Sequence, residues 1–161
     1  MILYGKHYID TLDKKKLISS LNSKYLTSGP LVKKFESKIK SIVKSKYVSV
    51  CNSATSALLV SFYAINVKKD DVIIMPAINF VASYNMAKKL GAKIFLADVD
   101  KYTGQMNYQN IINCIKKFKL KKIKAIITMH LGGYPEHSEE IFSIKKKYKC
   151  FIVEDACHAF G

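Results

Sequence analysis

Short apolar runs alternate with helix-length segments along most of this chain, and this alternation restricts the fold more than any other feature. Five runs are rich in valine and isoleucine, as buried strands are: Tyr47 to Cys51, Asp71 to Met75, Lys93 to Ala97, Lys124 to Met129 and Cys150 to Glu154. Between them lie four helix-length segments: Ser53 to Tyr63, Phe80 to Leu90, Asn107 to Phe118 and Ser138 to Tyr148. Repeated β-α units predict an α/β fold of three layers, α/β/α, with a mainly parallel sheet in the middle. Ligands of such folds bind at the carboxyl ends of the strands.

Two further helices are predicted before the first strand. Leu12 to Leu21 and Val32 to Val43 have helical apolar spacing, and Tyr25 to Pro30 links them with a Gly-Pro break. We therefore expect residues 1–46 to form N-terminal helices and a link, and residues 47–161 to form the β/α region of the same domain.

The composition indicates a globular domain. The chain has 161 residues, 49% of them hydrophobic, which is enough for one compact core. The opening Met1 to His7 lacks the apolar run of a signal peptide, and no later run reaches membrane-spanning length. Four cysteines without a CxxC pair indicate reduced thiols. We expect a cytoplasmic protein that makes no contact with a membrane.

The formal charge of +15 raises the alternative of a basic nucleic-acid-binding module. All 27 basic residues are lysines, so the bidentate guanidinium contacts typical of base and phosphate recognition are absent. The densest lysine runs fall at predicted helix ends or beside predicted strands, where solvated faces favour lysine. We therefore expect no nucleic-acid partner and keep the basic module as an alternative.

An acid and a histidine follow the last apolar run. Asp155 leaves a strand that is predicted to be buried, and His158 lies three residues later. A buried carboxylate is costly unless a cation neutralises it, and a protonated ring nitrogen of a cofactor is one candidate cation. The alternative is an aspartate that caps a turn.

A hydroxyl-rich helix start follows the first predicted strand, at Asn52 to Leu58. Exposed amides and hydroxyls at a helix N-terminus suit a phosphate, although an ordinary N-cap explains them equally well. The two features together indicate a phosphorylated cofactor with a nitrogen ring. A nicotinamide-binding Rossmann domain is set aside because no G-x-G-x-x-G turn follows the strand.

Six markers occur in order, and with them the stretch from Tyr25 to Gly161 resembles the DegT/DnrJ/StrS family of pyridoxal-phosphate aminotransferases. The markers are Thr27-Ser28-Gly29-Pro30 with Phe35-Glu36, Asn52 to Leu58, Pro76 with Asn79 to Ala82, Asp98-Val99-Asp100, His130 to Gly133, and Glu154 to Gly161. The resemblance implies the N-terminal part of the large domain of fold-type I transferases, with residues 47–161 as its cofactor-binding region. It also implies pyridoxal 5′-phosphate as cofactor and a homodimer with active sites at the subunit interface.

The resemblance implies an activity. An amino group would pass, with glutamate as donor, to a nucleotide-linked keto sugar during the synthesis of surface polysaccharides or glycoconjugates. The identity of the sugar, the aminated carbon and the donor depends on pocket details that the sequence does not specify.

The resemblance also assigns roles at the ring of the cofactor. Asp155 matches the aspartate beside the pyridine nitrogen, where a carboxylate keeps that nitrogen protonated. His158 matches the position near the phenolic oxygen, although a lone histidine is more often structural. Phe80 matches the aromatic residue that stacks on the ring, with packing in the core as its alternative.

Three residues match the phosphate-binding part of the family motif. Thr55 and Ser56 would offer hydroxyl and N–H groups to the phosphate, and Ala54 stands where a glycine is often found. No metal site is expected, because His130 and Cys157 lack the number and spacing of ligands that a metal needs.

One family feature is missing from the sequence. The Schiff-base lysine of the family lies beyond the aspartate motif, and the sequence ends at Gly161 before that segment. We therefore expect a truncated or split-gene product that is catalytically impaired alone. The alternatives are a non-catalytic fragment and a subunit of a split enzyme, bound to a companion chain that carries the lysine.

Overall fold

The computed structural model describes residues 5–135 and 138–160, with only the backbone of residue 138. Met1 to Tyr4, part of the opening segment considered above, and Gly161, the last residue of the sixth marker, lie outside the described residues. The chain divides into two compact units, with the boundary between Val50 and Cys51.

The first unit contains two helices, α1 (Thr11–Leu21) and α2 (Pro30–Val43). α1 begins with a capping box: the Asp10 carboxylate accepts the Asp13 N–H at 2.8 Å, and the Asp13 carboxylate accepts the Asp10 N–H at 3.1 Å. α2 has Pro30 in its first turn, where the missing N–H costs nothing. Both helices are confirmed within about two residues of their predicted bounds.

The prediction of a strand at Tyr47 to Cys51 is wrong for the described part of the chain. No described strand hydrogen-bonds to this segment, and Tyr47 is 80% exposed. The Val50 N–H donates to the Glu36 carboxylate at 3.1 Å instead of to a neighbouring strand. A strand requires a pairing partner, which valine and tyrosine content alone does not supply.

The second unit is built on a sheet of four parallel strands: β1 (Val72–Pro76), β2 (Lys93–Ala97), β3 (Ala125–Met129) and β4 (Phe151–Asp155). Their order is β2-β1-β3-β4, with Pro76 opposite Ala97 and Met129 opposite Asp155. The other four predicted strands are therefore confirmed, and the parallel arrangement brings their carboxyl ends to one edge.

Four helices cover the two faces of this sheet: α3 (Ala54–Ala64), α4 (Val81–Lys89), α5 (Tyr108–Lys117) and α6 (Ser138–Tyr148). One core joins α3 and α4 to alternate strand residues such as Ile73 and Ile127. The other core joins α5 and α6 to the intervening residues, such as Ile74 and Ile126. Because successive strand residues face opposite sides, the unit has three layers, and the predicted α/β/α class is confirmed.

Candidate functional site

Asp155 is the last residue of β4, at the carboxyl edge of the sheet. Val153, two residues earlier, packs in the core under α3 and α4, so the Asp155 side chain lies on that face. The residue is only 5% exposed. No cation of the described residues lies within ion-pair distance of its carboxylate. Within the described part of the chain, this buried acid therefore has no ion-pair partner.

Two groups of Cys157 contact the Asp155 carboxylate. The Cys157 N–H donates to Oδ1 at 3.3 Å, and the thiol also hydrogen-bonds to the carboxylate. Burial of the sulfur, followed by the hydrogen bond to Asp155 and its negative charge, raises the pKa of Cys157 to about 11. The thiol is thus a neutral donor at physiological pH and leaves the carboxylate charge uncompensated.

The start of α3 lies at the same edge of the sheet. α3 leads into the amino end of β1, and a helix of 11 residues and a strand of five have similar lengths of roughly 17 Å. The helix N-terminus therefore returns to the carboxyl edge. The Ser53 hydroxyl caps the helix by accepting the Ser56 N–H at 3.2 Å, which leaves the N–H groups of Ala54 and Thr55 without intrahelical partners.

Phe80 precedes α4 at this edge, as the residue before the first helical turn. Its N–H donates to the Met129 sulfur at 3.3 Å, and Met129 is the register partner of Asp155. The Phe80 side chain is 60% exposed, so the alternative of packing in the core is wrong. Because the hydrogen bond holds the Phe80 backbone and the side chain is exposed, the Phe80 ring is available for stacking on a ligand.

His158 lies in a tight turn that begins after β4. The Ala159 N–H donates to the Ala156 carbonyl at 2.9 Å and closes this turn. Phe80 and Asp155 therefore lie at one edge of the sheet, the lengths of α3 and β1 assign Thr55 and Ser56 to the same edge, and His158 lies three residues beyond Asp155. Their roles toward a cofactor stay predictions.

The sequence marks His130 as part of the fifth family marker and disfavours it as a metal ligand, and the structure gives it a partner in Glu154. The His130 ring Nε2 lies 3.2 Å from Glu154 Oε1, and both line a narrow cavity with Gln105 and Thr128 on the face opposite Asp155. The buried Thr128 hydroxyl has no hydrogen-bond partner among the described residues. In the sequence, the clue to His130 and Glu154 was that each lies at the end of an apolar run that predicts a buried strand.

Two other features are absent from residues 5–135 and 138–160. In these ranges no three His, Cys, Asp or Glu side chains are grouped to hold a metal ion. No described helix combines the length and the apolar character needed to cross a membrane.

The comparisons with known proteins point to one family. The family model for the DegT/DnrJ/EryC1/StrS aminotransferases matches residues 7–161. An uncharacterised protein of Methanocaldococcus jannaschii is 35% identical over 91% of this chain and 37% of its own length. The UDP-4-amino-4,6-dideoxy-N-acetyl-beta-L-altrosamine transaminase of Campylobacter jejuni (serotype O:23/36) is 33% identical over all of this chain and 42% of its own length.

Solved structures agree with these relatives. Spr1654 of Streptococcus pneumoniae, described as a sugar aminotransferase in its PLP form, has a TM-score of 0.89 at 26% identity, over 99% of this chain and 44% of that one. A GDP-4-keto-6-deoxymannose-3-dehydratase with a trapped PLP-glutamate geminal diamine has a TM-score of 0.87 at 28% identity, over 97% and 41%.

The chain spans about two-fifths of the length of the curated relatives it matches. The range matched by the family model, residues 7–161, includes the carboxyl-edge residues described above. The chain therefore belongs to the DegT/DnrJ/EryC1/StrS aminotransferase family.

Proposed function

We propose that this chain forms the N-terminal, cofactor-binding part of a pyridoxal-phosphate-dependent aminotransferase that converts a nucleotide-linked keto sugar to an amino sugar. The observation that carries the proposal is Asp155, a buried carboxylate with no cation among the described residues. Such a charge is costly unless a bound cation compensates it. A pyridinium N–H⁺ has the charge and the donor geometry to do so.

Asp155 fits the ring end of this cofactor. Bound pyridoxal phosphate supplies an electron-accepting ring that stores carbanion charge while an amino group is transferred. Asp155 holds the proton on the ring nitrogen, because a nearby negative charge favours the protonated form. Cys157 supports this role by donating to the carboxylate without neutralising it. Phe80 covers one face of the ring, and His158 donates a hydrogen bond to its phenolic oxygen.

The start of α3 fits the phosphate end. The N–H groups of Ala54 and Thr55 and the hydroxyls of Thr55 and Ser56 bind the phosphate dianion, which the positive end of the helix dipole also favours. Ala54 is exposed and lies in the first helical turn, where its methyl group is tolerated.

The substrates and the assembly belong to the whole protein. The substrates are a nucleotide-linked keto sugar and an amino donor, glutamate, used in the synthesis of surface polysaccharides or glycoconjugates. The remainder of the family fold completes the site, either within a homodimer of the longer protein or through a companion chain. The free cysteines among the described residues suit a cytoplasmic enzyme.

Binding of pyridoxamine phosphate to the purified chain tests the cofactor site directly. This form is the right probe because it has no aldehyde, whereas pyridoxal phosphate reacts with amines and the chain has 27 lysines. We expect binding in isothermal titration calorimetry, and roughly tenfold or greater weakening in Asp155→Asn, which loses a charge-assisted hydrogen bond.

Asp70→Asn is the matched control. Asp70 precedes β1 at the amino edge of the same sheet, where it pairs with Lys93 at 3.1 Å. The substitution removes the same charge at the edge of the sheet opposite to Asp155, so the affinity for pyridoxamine phosphate should stay unchanged. An inert wild-type chain, or equal affinity in wild type and Asp155→Asn, overturns the proposed function.

A further inference from the structure

The segment His130 to Gly133, which follows β3 and includes the turn Leu131–Gly133, holds the end of β4 and the residues after it at two points. At the first, the His130 N–H donates to the Asp155 carbonyl at 3.1 Å and extends the pairing of β3 with β4. At the second, Gly133 lies against the backbone of His158: a Cβ placed on Gly133 would be 2.3 Å from the His158 carbonyl oxygen. The turn therefore fixes the backbone at both Asp155 and His158.

Gly133 is suited to this contact in two ways. Its φ of +86° is in the left-handed region that glycine adopts without strain. Its missing side chain permits this approach, because a Cβ would lie about 1 Å inside the distance of an ordinary carbon–oxygen contact. The Gly133 N–H also donates to the His130 carbonyl at 3.0 Å, which closes the turn.

A side-chain bridge holds the same two strand ends on the opposite face. His130 is 7% exposed, and its Nε2 lies 3.2 Å from Glu154 Oε1. Glu154 precedes Asp155, so its side chain points away from the Asp155 side chain. The bridge therefore fixes the end of β4 without occupying the space in front of Asp155.

We propose that His130, Gly133 and Glu154 are positioning residues, which hold Asp155 and His158 in the geometry that receives the ring end of the cofactor. This inference rests on the proposed function for the nature of the ligand. The other part of the inference, that the turn fixes the position of His158, concerns the chain without any ligand.

A pair of glycine variants tests the contact. Gly132 and Gly133 are neighbours with positive φ, at +68° and +86°, so an alanine is strained at either position. A Cβ on Gly132 meets nothing within 4 Å, whereas a Cβ on Gly133 meets the His158 carbonyl. Gly132→Ala is therefore a matched control for Gly133→Ala, because the two variants differ in the contact with His158.

The first measurement uses the chain without cofactor. Histidine side-chain resonances are followed by NMR, with the His158 signal assigned from His158→Asn. We expect the His158 signal to move in Gly133→Ala and to stay near its wild-type position in Gly132→Ala. Equal shifts in the two variants overturn the inference, whether or not the chain binds a cofactor.

The second measurement uses pyridoxamine phosphate. We expect Gly133→Ala to weaken binding tenfold or more relative to Gly132→Ala, and to lower the pH at which the near-ultraviolet absorption of the bound ring titrates. A purely structural defect lowers affinity without moving that titration, because the position of the Asp155 carboxylate sets it. Weaker binding with an unmoved titration therefore contradicts a positioning role.

If Gly133→Ala does not fold, two variants of Glu154 test the positioning role instead. Glu154→Ala removes the partner of His130, whereas Glu154→Gln keeps an oxygen that accepts a hydrogen bond. We expect binding to fall in Glu154→Ala and to be largely restored in Glu154→Gln. Equal affinity in wild type and Glu154→Ala contradicts the role of the bridge. A wild-type chain that does not bind the probe overturns the proposed function, and the NMR comparison still tests the turn.

Discussion

Asp155 is a buried acid whose contacts are donors without a full positive charge. The Cys157 N–H and thiol both donate to the Asp155 carboxylate, and neither of them neutralises it. An unpaired charge in such a place interacts more strongly with a ligand cation than an exposed carboxylate does, because water screens it less. The local chemistry of one residue therefore favours a cationic ring as ligand.

Cys157 reports on this charge. Since the pKa of Cys157 is raised to about 11, its thiolate population at pH 9 is small, and alkylation should increase as the pH rises toward 11. In Asp155→Asn the contribution of the carboxylate is removed and that of burial remains, so the pKa falls part of the way. We expect alkylation at pH 9 to become several-fold faster, measured by pulsed iodoacetamide labelling and peptide mass spectrometry.

Cys51 is the internal comparison for this measurement, because it is an exposed cysteine like Cys157 but has no hydrogen bond to Asp155 among the described residues. Its labelling rate should be the same in wild type and variant. If Cys157 is labelled at the same rate in both, then Asp155 does not influence the thiol. A general opening of the fold would instead accelerate the buried Cys114 and Cys150 together with Cys157.

The residues of the candidate site differ in how far the sequence could predict them. Asp155 and Thr55 were identifiable because each stands where a strand or helix begins or ends, which local patterns indicate. The contact between His130 and Glu154 was not, because it depends on the register of β3 against β4. The close approach of Gly133 to His158 also joins residues 25 positions apart, and a glycine pair alone indicates only a turn.

At the scale of the elements, side-chain caps explain why the helix bounds were predictable. α3 begins after Ser53 and α5 after Asn107, and both residues accept an N–H of the first turn. At α5 the arrangement is reciprocal, because the Asn110 side chain accepts the Asn107 N–H at 3.0 Å. The strand expected at Tyr47 to Cys51 shows the limit of prediction from local patterns. A strand forms only where a second segment pairs with it, and the sequence of one segment does not specify that partner.

Asn107→Ala tests the contribution of a cap. We expect it to lower the free energy of unfolding by about 1 kcal/mol, because the Asn110 N–H loses its acceptor at 2.9 Å. Asn113→Ala is the control: it is the same substitution in the same helix, at an exposed position, and should change stability by less than about 0.5 kcal/mol. Urea denaturation measures both. Equal effects would show that the cap contributes nothing specific.

At the scale of the second unit, the sheet separates two cores and places the site on one side. The core under α3 and α4 lies beneath Asp155, and the core under α5 and α6 lies beneath the cavity lined by His130 and Glu154. The α/β/α layering follows from the β-α alternation, so the sequence predicted it. The strand order was not predicted, because alternation fixes which elements are strands and not which strands are neighbours.

The whole chain also carries a large excess of positive charge. It has 27 lysines against 12 acidic residues, so ion pairs such as Lys93 with Asp70 compensate at most a minority of the positive charge. Most of this charge therefore repels itself across the surface, which opposes the compact state. Raising the salt concentration from about 0.01 M to about 0.15 M shortens the screening length from roughly 30 Å to roughly 8 Å. We expect the free energy of unfolding to rise over this range.

The last turn of α6 offers a direct test, because Lys145, Lys146 and Lys147 are consecutive there. Replacing all three by glutamine lowers the formal charge by three, from +15 to +12, and should reduce the slope of stability against salt. Replacing all three by arginine keeps the charge and the favourable interaction with the helix dipole, so the slope should stay at its wild-type value. Urea denaturation at each salt concentration gives the slopes. Equal slopes in the glutamine and arginine variants would show that these lysines do not contribute to the repulsion.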